Sequence, residues 1–529
     1  MAFERTIVSG GRKYRQLVES RWDKEKKQSR LRVIKHLGRV KEDEHGRELV
    51  IPSQQKFDRV DRSTPVGELA LFWKVAEEFD VLKSISSQIG EDEKDVSMAI
   101  LVLVLNQLSG RRPLTRLGEW VGETPIPRWA GVNPGKMTKD YFLSALDRIS
   151  EGRGKTSYSR SVQDSLVRSW RRVIGDEPGR FFFYQDITRI RWNGGRTFWA
   201  ENGYGMQNGR PHLGFGLIVS KDSLFPVMGY PVRGGETDKT TIEETLEGLS
   251  GWDGGMVTLV WDRGFVSKSN VDLAMDRGFH VLSSGLRTSC EVVEWLARYD
   301  DAKIEKREQV IALSKGKAVY YKEAVGELYG HRCKIVVLLD PDRRNRSRIE
   351  RDMLIQALEE ETSKKKIAVL KRELKPIVMP SKGRRGYTIN QEEEETARRL
   401  DGRTLLFCTD TGMPGKDIVR TYFQKDRIEK AFRHLKGDAC LAPVRYQLPG
   451  RVEAYLSVVN FIAYELIAAT LWKIREHGLN TSYEDLIEEA SKIHEVEFTL
   501  KDKKFHRWTH ISRNLEKMLE PFKIQTLKT

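Results

Sequence analysis

Cysteine is nearly absent from the chain. Four occur in 529 residues (Cys290, Cys333, Cys408, Cys440), and no two are close enough for a Cys-x-x-Cys site. That excludes a disulfide framework and gives no reason to expect zinc. Reduced thiols in a cytosolic protein are expected. Low-complexity tracts and internal repeats are also lacking. The first residues, Met1 to Arg5, do not resemble a signal peptide. No long apolar run is uninterrupted. The most apolar stretch, Tyr455 to Trp472, contains Asn460 and Glu465, so it reads as a buried core helix rather than a membrane span. Acids are in the minority, with 76 Asp+Glu against 91 Lys+Arg, a formal net charge of +15 and a pI near 9.4. The excess gathers at the ends. Residues 1–60 hold 16 basic against 9 acidic side chains, and residues 498–529 hold 8 against 3. Both ends are candidate polyanion-binding surfaces. Charge alone separates neither DNA from RNA or an anionic membrane, nor binding from ordinary solubility.

The length allows three or four domains. Lys13 to Trp22 and Arg30 to Leu37 read as two strands around a polar turn, Asp23 to Ser29, with Tyr14, Val18 and Trp22 on one face. This basic strand pair (1–60) either lies on DNA or caps the next domain. Residues 61–178 read as helical, with helices over Val66 to Leu82, Val96 to Leu108 and Lys139 to Ile149. Basic patches at Arg111-Arg112-Pro113 and Arg160 to Arg172 make this the expected region for sequence-specific DNA binding, although no helix-turn-helix is evident.

Acids inside apolar, β-rich runs need a reason to be there, because carboxylates are rarely buried unless paired or bound to metal. Phe181 to Thr188 is aromatic and β-branched and carries Asp186. Gly255 to Trp261 reads as a strand ending on Asp262, at the strand edge where open α/β sheets place ligands. The tetrapeptide Asp-Arg-Gly-Phe occurs twice. The second copy, from Asp276, follows a helical stretch that Gly278 terminates, so Asp276 is expected at the surface and Asp262 in the site. Asp340 and Asp410 also end strands and are read as turn residues.

Between Thr421 and Lys436, the residues Tyr422, Lys425, Glu429 and Lys436 are three, four and seven apart, which returns to nearly one azimuth on a helix. Ile428, Ala431, Phe432 and Leu435 point elsewhere and can bury. A carboxylate flanked by cations suits a metal ion beside a phosphate chain. A surface helix with i, i+4 ion pairs is the bland alternative.

These blocks together resemble the DDE transposases of insertion sequences. The similarity is to the insertion-sequence-four-like group, whose glutamate helix carries Tyr-x2-Arg-x3-Glu-x6-Lys. Here the signature reads Tyr422, Lys425, Glu429, Lys436, with Lys where the pattern has Arg. Val260 to Phe265, Phe225 to Tyr230, Gly234 to Thr240, Pro443 to Tyr446 and Arg451 to Tyr455 fit the same group. The resemblance implies an α/β protein with an RNase H-like core, a mixed sheet flanked by helices. Its halves would be residues 179–284 and 413–475, separated by a strand-rich insertion (285–412) and followed by a basic helical region (476–529). It implies a catalytic and metal-binding triad of Asp186, Asp262 and Glu429 holding two Mg²⁺ ions, with Mn²⁺ as a substitute. DNA contacts are implied for Tyr422, Lys425, Arg433, Lys436 and Arg263. Trp295, in the insertion, either stacks on an extruded base or packs in the core, and His434 is at most a phosphate neighbour. The implied activity is cleavage and strand transfer on double-stranded DNA, at transposon ends and target. A homodimer in a synaptic complex is expected, in the cytoplasm with the nucleoid and with no membrane. An RNase H-like nuclease and a non-catalytic DNA-binding derivative are the alternatives.

Overall fold

A computed structural model describes residues 2–23, 28–42, 48–51, 59–90, 94–153, 156–175, 180–203, 210–314, 316–361, 364–381, 386–439, 441–500 and 503–527. Most of the turn expected between the first two strands (24–27) lies outside these residues, as do Gly179 and Cys440. The chain divides into two compact units, Met1–Pro65 with Ile493–His510, and Val66–Lys492 with Ile511–Thr529.

The smaller unit is built of antiparallel strands. Ala2–Ser9, Arg12–Asp23, Gln28–Glu42 and Glu48–Ile51 form one sheet in that order. Val18 is fully buried on it, whereas Trp22, expected on the same face, is 65% exposed near the strand's end. A second sheet joins Arg59–Pro65 to a hairpin of His494–Leu500 and Lys503–Trp508. This hairpin corrects the expectation that residues 476–529 are helical throughout. Val496, Phe498 and Leu500 alternate with polar residues at the period of a strand. Glu497 is held from both neighbouring strands, by Arg62 at 3.1 Å and Lys504 at 2.6 Å.

The larger unit begins with helices. The one expected over Val66 to Leu82 is two, Gly67–Glu78 and Val81–Ile89, broken at Asp80, whose φ of +52° no helix interior accepts. Lys94–Leu105 runs on into a π-helical turn, Asn106–Gly110, and Lys139–Ser150 follows. A nine-stranded sheet comes next in the chain. Its strands are β1 (Phe181–Arg191), β2 (His212–Ser220), β3 (Pro226–Val232), β4 (Val257–Val260), β5 (His280–Ser284), β6 (Val310–Ser314), β7 (Lys317–Leu328), β8 (His331–Leu339) and β9 (Arg403–Cys408). The order across the sheet is β3-β2-β1-β4-β5-β9-β8-β7-β6. β1, β4 and β5 run parallel, and the remaining pairings are antiparallel. The strands of residues 310–339 and 403–408 therefore extend the same sheet as Asp186.

β2, β3 and β4 are buried along their whole length, as their near-continuous apolar sequence requires of strands covered on both faces. Six helices matter for the site: α1 (Lys268–Asp276), α2 (Cys290–Ala297), α3 (Pro341–Glu360), α4 (Gly415–Phe423), α5 (Asp426–Gly437) and α6 (Asn460–Glu476). α6 belongs to a helical run, Pro449–Glu476, long and apolar enough to cross a membrane, yet 94% of its most apolar window is buried inside the protein. It is a core helix, and α5 and β3 pack on it.

Candidate active site

Two acids meet in the middle of the sheet, where β4 ends beside β1, because of strand register. β1 and β4 are parallel neighbours, paired from Val257 with Phe181 to Val260 with Tyr184. Asp186 and Asp262 each lie two residues beyond the last pair. Continuing the register sets them side by side on the same face, on strands about 4.8 Å apart. Asp262 is the second residue after β4, beyond Trp261, where it caps a short 3₁₀ turn (Arg263–Phe265) and accepts the Arg263 N–H at 2.8 Å. Asp186 accepts the Ile187 N–H at 2.8 Å. The other Asp-Arg-Gly-Phe copy behaves as the sequence indicates. Ser267 caps α1, Asp276 ends it exposed, and Gly278 turns the chain at φ +84° into β5.

The electrostatics follow from this crowding. Burial pushes the Asp186 carboxyl up to about 6. The Ile187 N–H and the Lys425 charge draw it down, and the carboxylates of Asp262 and Asp238 push it further up. Burial also raises Asp262, but the Lys425 ammonium at 3.0 Å and the Arg263 N–H and charge outweigh it, leaving Asp262 below its ordinary value. Lys425 is thus the local cation, and it also sits 5.8 Å above the Tyr422 ring. Asp238, within the Gly234 to Thr240 block, is a third acid. Burial raises it against the pull of Arg189, whose Nη2 holds its Oδ1 at 3.0 Å. A Cβ on Gly264 would come within 2.7 Å of Asp238 Oδ2, so a glycine after Arg263 is what lets this loop approach Asp262.

The glutamate region differs from expectation. Tyr422, Lys425, Glu429 and Lys436 do not share one unbroken helix. A turn at Gln424–Lys425 ends α4 and starts α5, so Lys425 is the residue before α5. Tyr422 donates from its hydroxyl to Ser284 Oγ at 3.0 Å, pinning α4 to the end of β5. Tyr184 donates to the Thr421 carbonyl at 3.0 Å, and Arg427 to the Lys221 carbonyl at 2.9 Å. Ile428, Ala431, Phe432 and Leu435 are buried, as their spacing predicts, and α5 packs on β1. Glu429, Arg433 and Lys436 lie exposed on its open face. Among the described residues no three His, Cys, Asp or Glu side chains stand close enough to hold a metal ion. Asp186 and Asp262 are brought together, and Glu429 does not close a three-acid cluster with them.

The remaining residues have structural settings. Asp340 caps α3 by accepting the Arg343 N–H at 3.0 Å, and Asp410 accepts the Gly412 N–H at 3.0 Å and pairs with Arg180. Trp295, on α2, lies against Gly326 of β7 and donates to the Glu327 carbonyl at 3.2 Å. His212 is buried in β2, and His434 is held by Asp438 at 2.7 Å. The cations missed by sequence reasoning are Arg287, Lys317 and Arg343, which line a cavity of about 240 Å³ together with Asp262, Arg263 and Tyr422. Each stands on a different element, so no local pattern unites them.

No family model and no curated protein matches the chain. Among solved structures, a cryo-EM structure of a piggyBac transposase synaptic complex with hairpin DNA is similar at 10% sequence identity. The match covers 82% of this chain and 82% of that one, with a TM-score of 0.39.

Proposed function

We propose that the chain is a DNA transposase of the DDE type, binding the ends of an insertion sequence and cutting and joining DNA by divalent-metal-dependent phosphoryl transfer. The observation that carries this is the approach of Asp186 and Asp262 where β4 ends beside β1, with Lys425 ion-paired to Asp262. The RNase H-like reading is supported by Asp186 lying on the first strand of the sheet, Asp262 two residues after the end of the fourth and Glu429 on a helix packed against the first.

The donor set fits a hard cation. Its ligands are carboxylate oxygens alone, and a half-buried carboxyl pushed up to about 6 by burial and neighbouring acids gains by taking a positive charge beside it. In this reading Asp186 and Asp262 hold Mg²⁺, with Mn²⁺ as a substitute, and Glu429 completes the set from α5. Bound metal would activate the attacking oxygen and stabilise the leaving one. Lys425 keeps Asp262 ionised and offers its ammonium to a phosphate of the bound strand. Tyr422, fixed by Ser284, sets the start of α5. Arg263, Arg433 and Lys436 present exposed charge to the DNA backbone. The partners in this reading are double-stranded DNA ends, target DNA and a second copy of the chain in a synaptic complex, in the cytoplasm with the nucleoid.

The test is incubation of the protein with DNA carrying its element's ends and Mg²⁺, with strand breaks mapped to the nucleotide. Breaks at the element boundary that leave 3′-hydroxyls are expected. Intact DNA in both Mg²⁺ and Mn²⁺ would overturn the reading. Lys425→Ala gives a second expectation. It removes a charge-assisted contact, so cleavage should fall by about 10- to 100-fold, and the loss should deepen as pH falls because Asp262 then titrates higher. Lys425→Arg should retain most activity, since the charge survives. Wild-type single-turnover rates for Lys425→Ala would leave Lys425 a surface ion-pair partner.

A further inference from the structure

Two adjoining depressions open beside Asp262. One, of about 240 Å³, is lined by Arg263, Arg287, Lys317, Arg343, Tyr422 and Phe423 among others. The second, of about 580 Å³, shares Arg263 and Arg287 and continues to Lys239. Among the described residues, no carboxylate forms an ion pair with Arg263, Arg287, Lys317 or Arg343. Three acids share these walls: Asp262, paired with Lys425, Asp238, paired with Arg189, and Asp340, whose carboxylate accepts the backbone N–H of Arg343. Arg287 is held in place by the carbonyls of Leu400, at 3.1 Å, and Arg403, which fix its guanidinium without neutralising it. Burial, and then the charges of Arg343 and, more weakly, Arg263, lower its basicity against the pull of Asp401, so these cations lie within electrostatic reach of one another. Basic side chains outnumber the acids on these walls, and a cleft with such a positive balance focuses its field on an anion. Phe423, 36% exposed, and Tyr422 add ring faces to the same wall. A basic groove with aromatic faces is the chemistry that holds single-stranded nucleic acid.

We infer that this cleft is a phosphate subsite for a single nucleic-acid strand passing Asp262, held by Arg287, Lys317 and Arg343. The inference rests on the proposed function, and none of the three residues belongs to the acid set or to the Tyr422–Lys436 stripe. The smaller depression lies below the roughly 300–1,000 Å³ of drug-sized pockets. It suits a phosphate with its sugar and is too small for a duplex. The charges are spread over the loop after β5, the start of β7 and the first turn of α3. The occupant is therefore an extended chain of phosphates rather than a single ion at one helix end.

The test is binding of a fluorescently labelled, short single-stranded oligonucleotide, read by anisotropy over a salt series in EDTA so that no cleavage intervenes. The triple variant Arg287→Gln, Lys317→Gln, Arg343→Gln should bind about 10-fold or more weakly. Its slope of log affinity against log salt should flatten by about 2, at roughly 0.7 per lost contact. The charge-keeping pair Arg287→Lys, Arg343→Lys should keep the wild-type slope. Lys317 and Arg343 are exposed, whereas Arg287→Gln also gives up its bonds to the Leu400 and Arg403 carbonyls, so a cooperative melting curve at most slightly below wild type is expected and certifies the fold. Inorganic phosphate and AMP form the second arm. If the triple variant loses binding of either probe but binds the oligonucleotide like wild type, the strand assignment is overturned in favour of a free phosphate. An unchanged slope overturns the subsite. That failure is separable from failure of the proposed function. Asp186→Asn should bind the oligonucleotide normally, and its loss of cleavage would stand whether or not the subsite did.

Discussion

Asp186→Asn is expected to abolish DNA cleavage, by on the order of a thousand-fold or more, while leaving affinity for end-containing DNA nearly unchanged. Metal-assisted stabilisation of developing charge is worth several kcal/mol, and each 1.4 kcal/mol is about a factor of ten in rate. An amide keeps the shape of the carboxylate but not its charge. DNA affinity, by contrast, comes mainly from Lys and Arg, and the variant touches none of them. Asp262→Asn should behave the same way, with the added effect of freeing Lys425. Asp276→Asn is the control and should cut like wild type, because Asp276 is exposed at the end of α1. Glu429→Gln is the discriminating member of the series. Glu429 is exposed and closes no metal-binding cluster, so full loss of cleavage would show that α5 brings it to the acids when DNA and metal are bound. Wild-type cutting by Glu429→Gln, with Asp186→Asn inactive, would move the third ligand to Asp238. Asp238 is already within electrostatic reach of both acids. Single-turnover cleavage and filter-binding assays on the same preparations separate these outcomes.

What could be read from the chain was what local pattern determines. Asp186 and Asp262 stood out because aromatic and β-branched runs identify their strands. The choice of Asp262 over Asp276 followed from the glycine that ends α1 at positive φ. The buried face of α5 followed from the spacing of Ile428, Ala431, Phe432 and Leu435. What escaped was decided by contacts between distant elements. The turn at Gln424–Lys425 interrupts a stripe that periodicity alone would continue, since α4 is tied to β5 through Tyr422 and α5 to the loop after β2 through Arg427. Asp238 lies in a glycine-rich polar loop that looks like any turn, and only Arg189 on β1 shows why it is there. The pairing of β9 with β5, which joins the strands of 310–339 to the sheet of Asp186, has no signature in either strand. Arg287, Lys317 and Arg343 are single residues on separate elements, and one isolated cation among the chain's 91 Lys and Arg carries no weight until the fold assembles it with others.

Glu465 is expected to carry a large, pH-dependent effect on stability. It sits in α6, fully buried, and neither carboxyl oxygen has a hydrogen-bond partner among the described residues. Burial alone pushes its carboxyl up to about 8. Its ordinary value is near 4.5. Between these limits the folded chain holds a proton that the unfolded chain has released. Stability from this group is therefore fully present below about 4.5 and is lost as pH rises through about 8, with a slope approaching 1.4 kcal/mol per pH unit inside the window. Glu465→Met, similar in volume and apolar, removes both the titration and the unpaired polar group. It is expected to raise the thermal midpoint by ~5 °C or more near pH 8, and by much less near pH 5, where the wild-type carboxyl is already neutral. The variant's midpoint should then vary less with pH than that of the wild type. Both proteins should cut DNA at similar rates at pH 7, since no residue of the acid site lies on α6. Thermal unfolding followed by circular dichroism across that pH range reads the difference directly. Parallel curves for the two proteins would mean that Glu465 is ionised in the folded chain and balanced by a cation.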